Sequence, residues 1–370
     1  MEFTSGDSSR LLDSAVALWV VVASCARLMS FKERACASCL TFDGAAHRLD
    51  LRAMRLLLAS ALLLVGLVGC GESNQGTKPI RKVVGLAQIG AESAWRTANT
   101  KSIRDEAAKR GYALKFSDAQ QKQENQILAL RTFIAQGVAA IILPPVVETG
   151  FEPILKDAKA AGIPVILADR VVTVSDQSLY VTFIGADFVE EGRKAAAWLA
   201  SSTGKKAVIA ELEGSVGSAP ANDRKKGFAE GIAIHPGMKV VWSQSGDFTR
   251  AKGKEALEAF LKTPMGQTIT AVYAHNDDMA LGAIQALEEA GKVPGRDVTV
   301  IGIDGVRAAF ESVAAGEMGC TVECTPLIGP LVFDAIDKVL GGASVPRRIV
   351  TPGGVFDRKA ATEALPKREY

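Results

Sequence analysis

The sequence predicts an α/β protein of two lobes, each a parallel sheet with helices on both faces. Three observations lead there. From Lys82 onward, short apolar runs alternate with amphipathic helical patterns, the signature of a sheet buried on both sides. The alternation runs to Ile184 and then starts again at Ala207. Polar and aromatic residues gather just after the apolar runs, the edge at which parallel α/β sheets bind small ligands.

In the first set, strands are expected at Val83 to Ile89, Ala113 to Ser117, Ala139 to Leu143, Val165 to Ala168 and Tyr180 to Ile184. Helices fall between them, near Thr97 to Arg110, Gln123 to Gln136, Glu152 to Ala161 and Val189 to Ser201; Gly111, Gly137 and Gly162 punctuate the helix ends. The second set has strands at Ala207 to Leu212, Lys239 to Ser243, Ala271 to Ala274 and Val298 to Ile303. Its helices lie near Asp223 to Ala233, Thr249 to Leu261, Asp278 to Ala290 and Arg307 to Ala315. Two short strands, Thr321 to Cys324 and Arg348 to Val350, flank a last helix near Pro330 to Leu340. Two sheets of this size exceed one compact core, so a cleft between two lobes is expected.

The start of the chain differs. Arg52 and Arg55 precede the apolar run Leu56 to Val68, which is too short for a standard membrane span. The run ends in Leu67-Val68-Gly69-Cys70, which resembles a bacterial lipobox. Residues 54–69 are therefore expected to be a lipoprotein signal peptide, with Cys70 as the lipidated first residue. Residues 1–53 precede a signal that should open a protein, so Met54 is the expected natural start and the preceding stretch a gene-start artefact or a disordered extension. Residues 70–79 read as a tether. An anchor on Cys70 places the protein in the periplasm or on the outer face of the cytoplasmic membrane.

Composition narrows the function. The 370 residues carry a formal charge of +2, so no basic footprint suggests nucleic acid. Three His and six scattered Cys make no zinc pattern, and neither a metal nor a cofactor is expected. An extended Cys320–Cys324 stretch spans about 13 Å, too far for a disulfide, so packed thiols are expected there.

The candidate site residues all follow strands. Glu92, Trp95 and Arg96 follow the first strand; an aromatic face beside a guanidinium fork suits a sugar, although Trp95 also fits as a packing residue. Asp169 and Arg170 follow the fourth, where a carboxylate and a guanidinium together read hydroxyl geometry. In the second half come Arg224, Phe248, Asn276 and Asp304, with Asp278 expected to cap the helix after Asn276 and Asp223 to act as a cap beside Arg224. Asp304 before Gly305 also fits a plain turn residue.

The motifs QIGAESAWR, QQKQENQI, AQGVAAIILPPV, DRKKGFAEGI, SQSGDFTRAKGKE, YAHNDDMALGAIQALEEAG and IDGV resemble the periplasmic sugar-binding proteins of the ribose-binding type, over about residues 80–358. The AESAWR and PPVVETG loops look more like the galactofuranose-binding members; Pro144-Pro145 stands where ribose binders place Asn. The resemblance implies a type I periplasmic binding protein fold, two Rossmann-like lobes joined by a three-stranded hinge. It implies a non-enzymatic, monomeric receptor that hands a galactofuranose-like monosaccharide to the membrane permease of an ABC importer. It assigns ligand contact to Glu92, Trp95, Arg96, Asp169, Arg170, Arg224, Phe248, Asn276 and Asp304. Lobes are expected at 80–185 plus 322–342 and at 186–321 plus 343–358, with 359–370 a tail. A receptor feeding a sensory system, or one taking another pentose or hexose, is the alternative. A DNA-binding regulator built on the same body would need a helix-turn-helix where the leader stands. Paired carboxylates for sugar hydrolysis, Asp169 and Asp304, sit beside hydrogen-bond donors that suit binding better.

Overall fold

A computed structural model describes residues 82–370. The leader, the tether and Cys70 lie outside the described residues. Twelve strands and ten α-helices are described there. The first sheet is built from β1 (Val83–Gln88), β2 (Ala113–Asp118), β3 (Ala140–Leu143), β4 (Val165–Ala168), β5 (Thr182–Gly185) and β11 (Arg348–Val350), in the order β11-β5-β4-β3-β1-β2, all parallel. Helices α1 (Ala94–Lys109), α2 (Gln123–Ala135), α3 (Glu152–Ala160) and α9 (Gly329–Leu340) cover it.

Period-two alternation decides which side chain goes to which face. In β3, Ile141 and Leu143 join one core with Phe133 and Phe151, while Ala140 and Ile142 join the other with Ile103 and Phe333. Both faces are apolar because both are covered, hence the continuous apolar runs in the sequence.

The second sheet is built from β6 (Ala207–Glu213), β7 (Met238–Ser245), β8 (Ala271–Ala274), β9 (Thr299–Asp304), β10 (Cys320–Glu323) and β12 (Val355–Asp357), in the order β12-β10-β9-β8-β6-β7. Only β12 runs antiparallel. Its helices are α4 (Phe188–Ser202), α5 (Ala219–Ala233), α6 (Arg250–Leu261), α7 (Asp277–Glu289), α8 (Arg307–Ala315) and α10 (Arg358–Ala364). No helix among the described residues is long and apolar enough to cross a membrane.

The chain passes between the sheets three times: after β5, after β10 and after β11. Two expected boundaries move as a result. Val322 and Glu323 stay with the second sheet, aligned on Ile303 and Asp304, and Arg348–Val350 joins the first, aligned on Phe183–Gly185. Strands of three or four residues carry no pattern that says which sheet they extend. The expected tail, 359–370, is also packed: α10 lies on α8, Arg368 donates from Nη1 to Glu323 Oε1 at 2.6 Å, and the Tyr370 carbonyl accepts from Arg307 N. Cys320 and Cys324 are buried free thiols, as the spacing predicted.

Candidate functional site

At the exit of β1 the Ser93 hydroxyl accepts from Arg96 N at 3.1 Å and caps α1. That cap turns the first residues of α1 inward. Trp95 is 5% exposed, so its ring is buried, with its indole N–H donating to the Cys324 carbonyl beside the second crossing. The Arg96 guanidinium stacks 4.7 Å from the Trp95 ring centre. It donates from Nε to Glu92 Oε1 at 3.1 Å and from Nη2 to Asp169 Oδ2 at 2.6 Å. Burial opposes its charge, but the two carboxylates outweigh burial and hold its pKa above the ordinary value.

Asp169 leaves β4 with φ +68° and hands the chain to Arg170. A Cβ on Gly185 would lie 2.8 Å from the Asp169 carbonyl, so glycine lets the turn close. Arg170 donates from Nη1 to the Val146 carbonyl at 3.1 Å. Its nearest carboxylates are farther, Asp169 at 3.7 Å and Glu92 at 3.9 Å. Burial, then repulsion from Arg96, pulls its pKa down to about 10. The loop behind it, where Pro144-Pro145 stands, is held by Gln126, which donates to the Ala87 and Pro144 carbonyls and accepts from Val146 N.

The second lobe supplies the opposite wall. Helix α5 starts at Ala219 after Ser218, so Asp223 lies inside the helix rather than at its cap. Arg224, one turn in, donates from Nε to Glu191 Oε2 at 2.9 Å and from Nη1 to the His275 carbonyl at 2.6 Å, and its Nη2 lies 3.6 Å from Asp304 Oδ1. Burial again opposes the charge, and Glu191 leads the groups that raise its pKa. Phe248 sits at φ +61° against Gly214, where a Cβ would fall 1.9 Å from the ring. Gly214 in turn donates to His275 Nδ1 at 3.3 Å, while His275 Nε2 faces Glu211 Oε1 at 3.2 Å. Those partners assign the ring proton to Nε2, and burial, outweighing the pull of Glu211, lowers the His275 pKa.

Asn276, not Asp278, caps α7: its Oδ1 accepts from Met279 N at 3.0 Å, and its Nδ2 donates to the Phe248 carbonyl at 3.1 Å. Asp278 instead reaches across the cleft, accepting from Ala94 N at 2.8 Å. A second bridge lies on the other side, where Glu148 N donates to the Gly217 carbonyl at 2.9 Å. Asp304 leaves β9 at φ +131°, and burial raises its pKa well above the ordinary carboxylate range.

All nine residues singled out from the sequence line one pocket between the two sheet edges. Ser93 and Pro220 line it too; their only sequence signal was membership of the AESAWR and GSVGSAP loops. Glu92 Oε2, Arg96 Nη1 and Arg170 Nε are buried and have no partner. The pocket therefore offers spare donors and a spare acceptor beside Trp95 and Phe248. Among the described residues no cluster of His, Cys, Asp and Glu could hold a metal ion.

Residues 84–344 match the family model for the periplasmic binding protein domain. The chain belongs to the periplasmic binding protein family. It is 47% identical over 312 residues to the galactofuranose-binding protein of Escherichia coli (strain K12), covering 83% of this chain and 98% of that one. A Mycobacterium smegmatis protein solved in complex with β-D-fucofuranose is 50% identical, with a TM-score of 0.76 over 78% of this chain and 95% of that one. The periplasmic component of the arabinose ABC transporter of Shewanella sp. ANA-3, bound to α- and β-L-arabinofuranose, is 51% identical with the same TM-score and coverage. The two-lobed body and its three crossings are thus the type I periplasmic binding protein fold.

Proposed function

We propose that this protein is the extracytoplasmic receptor of an ABC sugar importer and that it closes on one neutral monosaccharide in furanose form. The observation that carries the reading is the set of buried, unpartnered atoms on Glu92, Arg96 and Arg170 inside a cavity lined from both lobes. Buried polar groups are almost always paired, and a polyol supplies hydroxyls that both donate and accept. Trp95 and Phe248 cover the ring faces; Arg96, Arg170, Arg224 and Asn276 donate; Glu92, Asp169 and Asp304 accept. A sugar with one hydroxyl misplaced would leave such a group unpaired at a cost of about 1–3 kcal/mol.

Charge favours a neutral ligand. Three guanidiniums (Arg96, Arg170, Arg224) face four carboxylates (Glu92, Asp169, Glu191, Asp304), and each guanidinium has a carboxylate within 4 Å. No cationic surplus remains for a sugar phosphate. The furanose form is supported by relatives at 50% and 51% identity solved with fucofuranose and arabinofuranose.

The reading extends to the rest of the chain: a lipid on Cys70 holds the receptor at the membrane, the closed lobes dock as a monomer on a permease, and the sugar is released unchanged. Titration calorimetry with galactose, arabinose and fucose labelled at C1, followed by carbon NMR of the complex, tests the sugar. Tight binding with a furanose C1 signal is expected; no binding, or a pyranose signal, refutes it. Mass spectrometry of the membrane-extracted protein, with Cys70→Ser as control, tests the anchor.

A further inference from the structure

We propose that Asp277, which does not line the cavity, is the positioning residue that sets Asn276 against Asp304 and so sharpens sugar discrimination by the second lobe. This rests on the sugar-receptor reading above. Asp277 is fully buried and sits between Asn276 and the body of α7. Its Oδ2 accepts from two consecutive amides, Gly305 N at 2.7 Å and Val306 N at 2.9 Å. Its Oδ1 accepts from the Thr321 hydroxyl of β10 at 2.7 Å. A Cβ on Gly302 would lie 2.4 Å from Oδ1, so the carboxylate rests directly on the β9 backbone.

One carboxylate thus ties three elements together: the start of α7, the turn after β9, and β10. The residue before it and the residue before its amide partners are both cavity residues, Asn276 and Asp304. Asp304 needs such a tie. Its φ of +131° is one that L residues rarely adopt, and it persists only when the surroundings impose it. Asn276 is fixed from its own side by Met279 N and the Phe248 carbonyl. With Asp277 intact, the separation of an amide donor and a carboxylate acceptor across the ligand is a rigid distance; without it, the Asp304 turn is free to relax.

A contact that fixes geometry should act on selectivity, whereas one that only stabilises the fold should weaken every sugar alike. The test is calorimetric titration of the intact protein, wild type and the variants Asp277→Ala, Asp277→Asn and Thr321→Val, with hexoses and pentoses that differ at single carbons. For Asp277→Ala, the best sugar should lose at least thirtyfold in affinity and the poorer epimers less than threefold, so discrimination falls at least tenfold. Asp277→Asn keeps one acceptor for the amides and should recover part of it; Thr321→Val, which leaves the two amide bonds, should lose less than Asp277→Ala. If Asp277→Ala does not fold, the other two variants still read the effect. Unchanged discrimination ratios in the folded variants overturn this inference and leave the receptor reading intact. A wild-type protein that binds none of the sugars overturns both.

Discussion

Replacing Arg170 by Met separates binding from folding. The side chain keeps most of its apolar stem, so packing beside Phe248 is largely retained, and only the guanidinium is lost. No carboxylate is orphaned: Arg96 still donates to Glu92 at 3.1 Å and to Asp169 at 2.6 Å. One acceptor loses its partner, the Val146 carbonyl, at a cost of about 1–3 kcal/mol. Against this stands the relief of an uncomfortable cation. Burial and Arg96 bring the Arg170 pKa down to about 10, which at 1.36 kcal/mol per decade means the site disfavours the charge by about 3 kcal/mol. The two effects offset, so the unliganded melting temperature should barely move.

Binding has no such offset. The free Nε and the loosely paired Nη2 each stand to make a charge-assisted bond to a sugar oxygen, worth about 1.5–3 kcal/mol apiece. Their loss amounts to about 3–6 kcal/mol, or a rise in Kd of about two to four decades. Calorimetric titration and differential scanning calorimetry of the same preparations read both quantities. A Kd raised less than tenfold would mean that Arg170 does not face the ligand; a large loss of unliganded stability would mean that the guanidinium is structural.

Three further outcomes follow from the geometry. Gly214→Ala drives a methyl into the Phe248 ring, so the ring must leave its place and affinity should fall at least tenfold in a folded protein, as read by titration and circular dichroism. Burial raises the carboxyls of Asp277, to about 7, and of Asp304 and Glu191; folded values above the unfolded ones give stability that is complete below about pH 4 and fades as pH rises through 7. Urea unfolding of the unliganded protein should therefore show lower stability at pH 8 than at pH 5, with a smaller difference in Asp277→Asn, and an equal or greater stability at pH 8 would contradict this. Asp278→Ala removes the bridge to Ala94 N and should weaken all bound sugars by the same factor, about five- to tenfold; a changed ranking of sugars would show that Asp278 does more than hold the lobes together.

Much of the site was legible because each of its residues follows a strand or opens a helix, and those borders are marked by apolar runs and capping residues. The first turn of α1, the Asp169-Arg170 pair and the Asn276 cap all fall there. What could not be read is what happens across elements. Asp278 has the composition of a helix cap, yet Asn276 takes that role and Asp278 accepts from an amide in the other lobe. Glu191 gave no signal beyond its charge, and Asp277 none beyond its place where a strand hands over to a helix, because their partners lie 33 and 28 residues away or more. The membership of β10 and β11 in opposite sheets was illegible for the same reason: a short strand is assigned by the neighbour it pairs with.

The distribution of charge explains how such a cleft answers to its ligand. Every ion pair lining the cavity is made within one lobe. Arg96 and Arg170 pair with Glu92 and Asp169 on the first, and Arg224 pairs with Glu191 and Asp304 on the second. Separating the lobes would break none of these pairs, and closing them gains none. The bridges between the lobes run from Ala94 N to the Asp278 carboxylate, from Glu148 N to the Gly217 carbonyl and from Asn222 Nδ2 to the Glu148 carboxylate, each worth about 1–3 kcal/mol net. Closure also buries Glu92 Oε2, Arg96 Nη1 and Arg170 Nε without protein partners, which opposes it by a similar or larger amount. These effects oppose one another, and a molecule that satisfies those atoms tips the balance toward closure, since a ligand shifts an equilibrium only by its differential affinity for the two states. In the proposed receptor the atoms assigned to sugar recognition are the ones left unpartnered in the closed form, so selectivity and closure would be set by one group of residues.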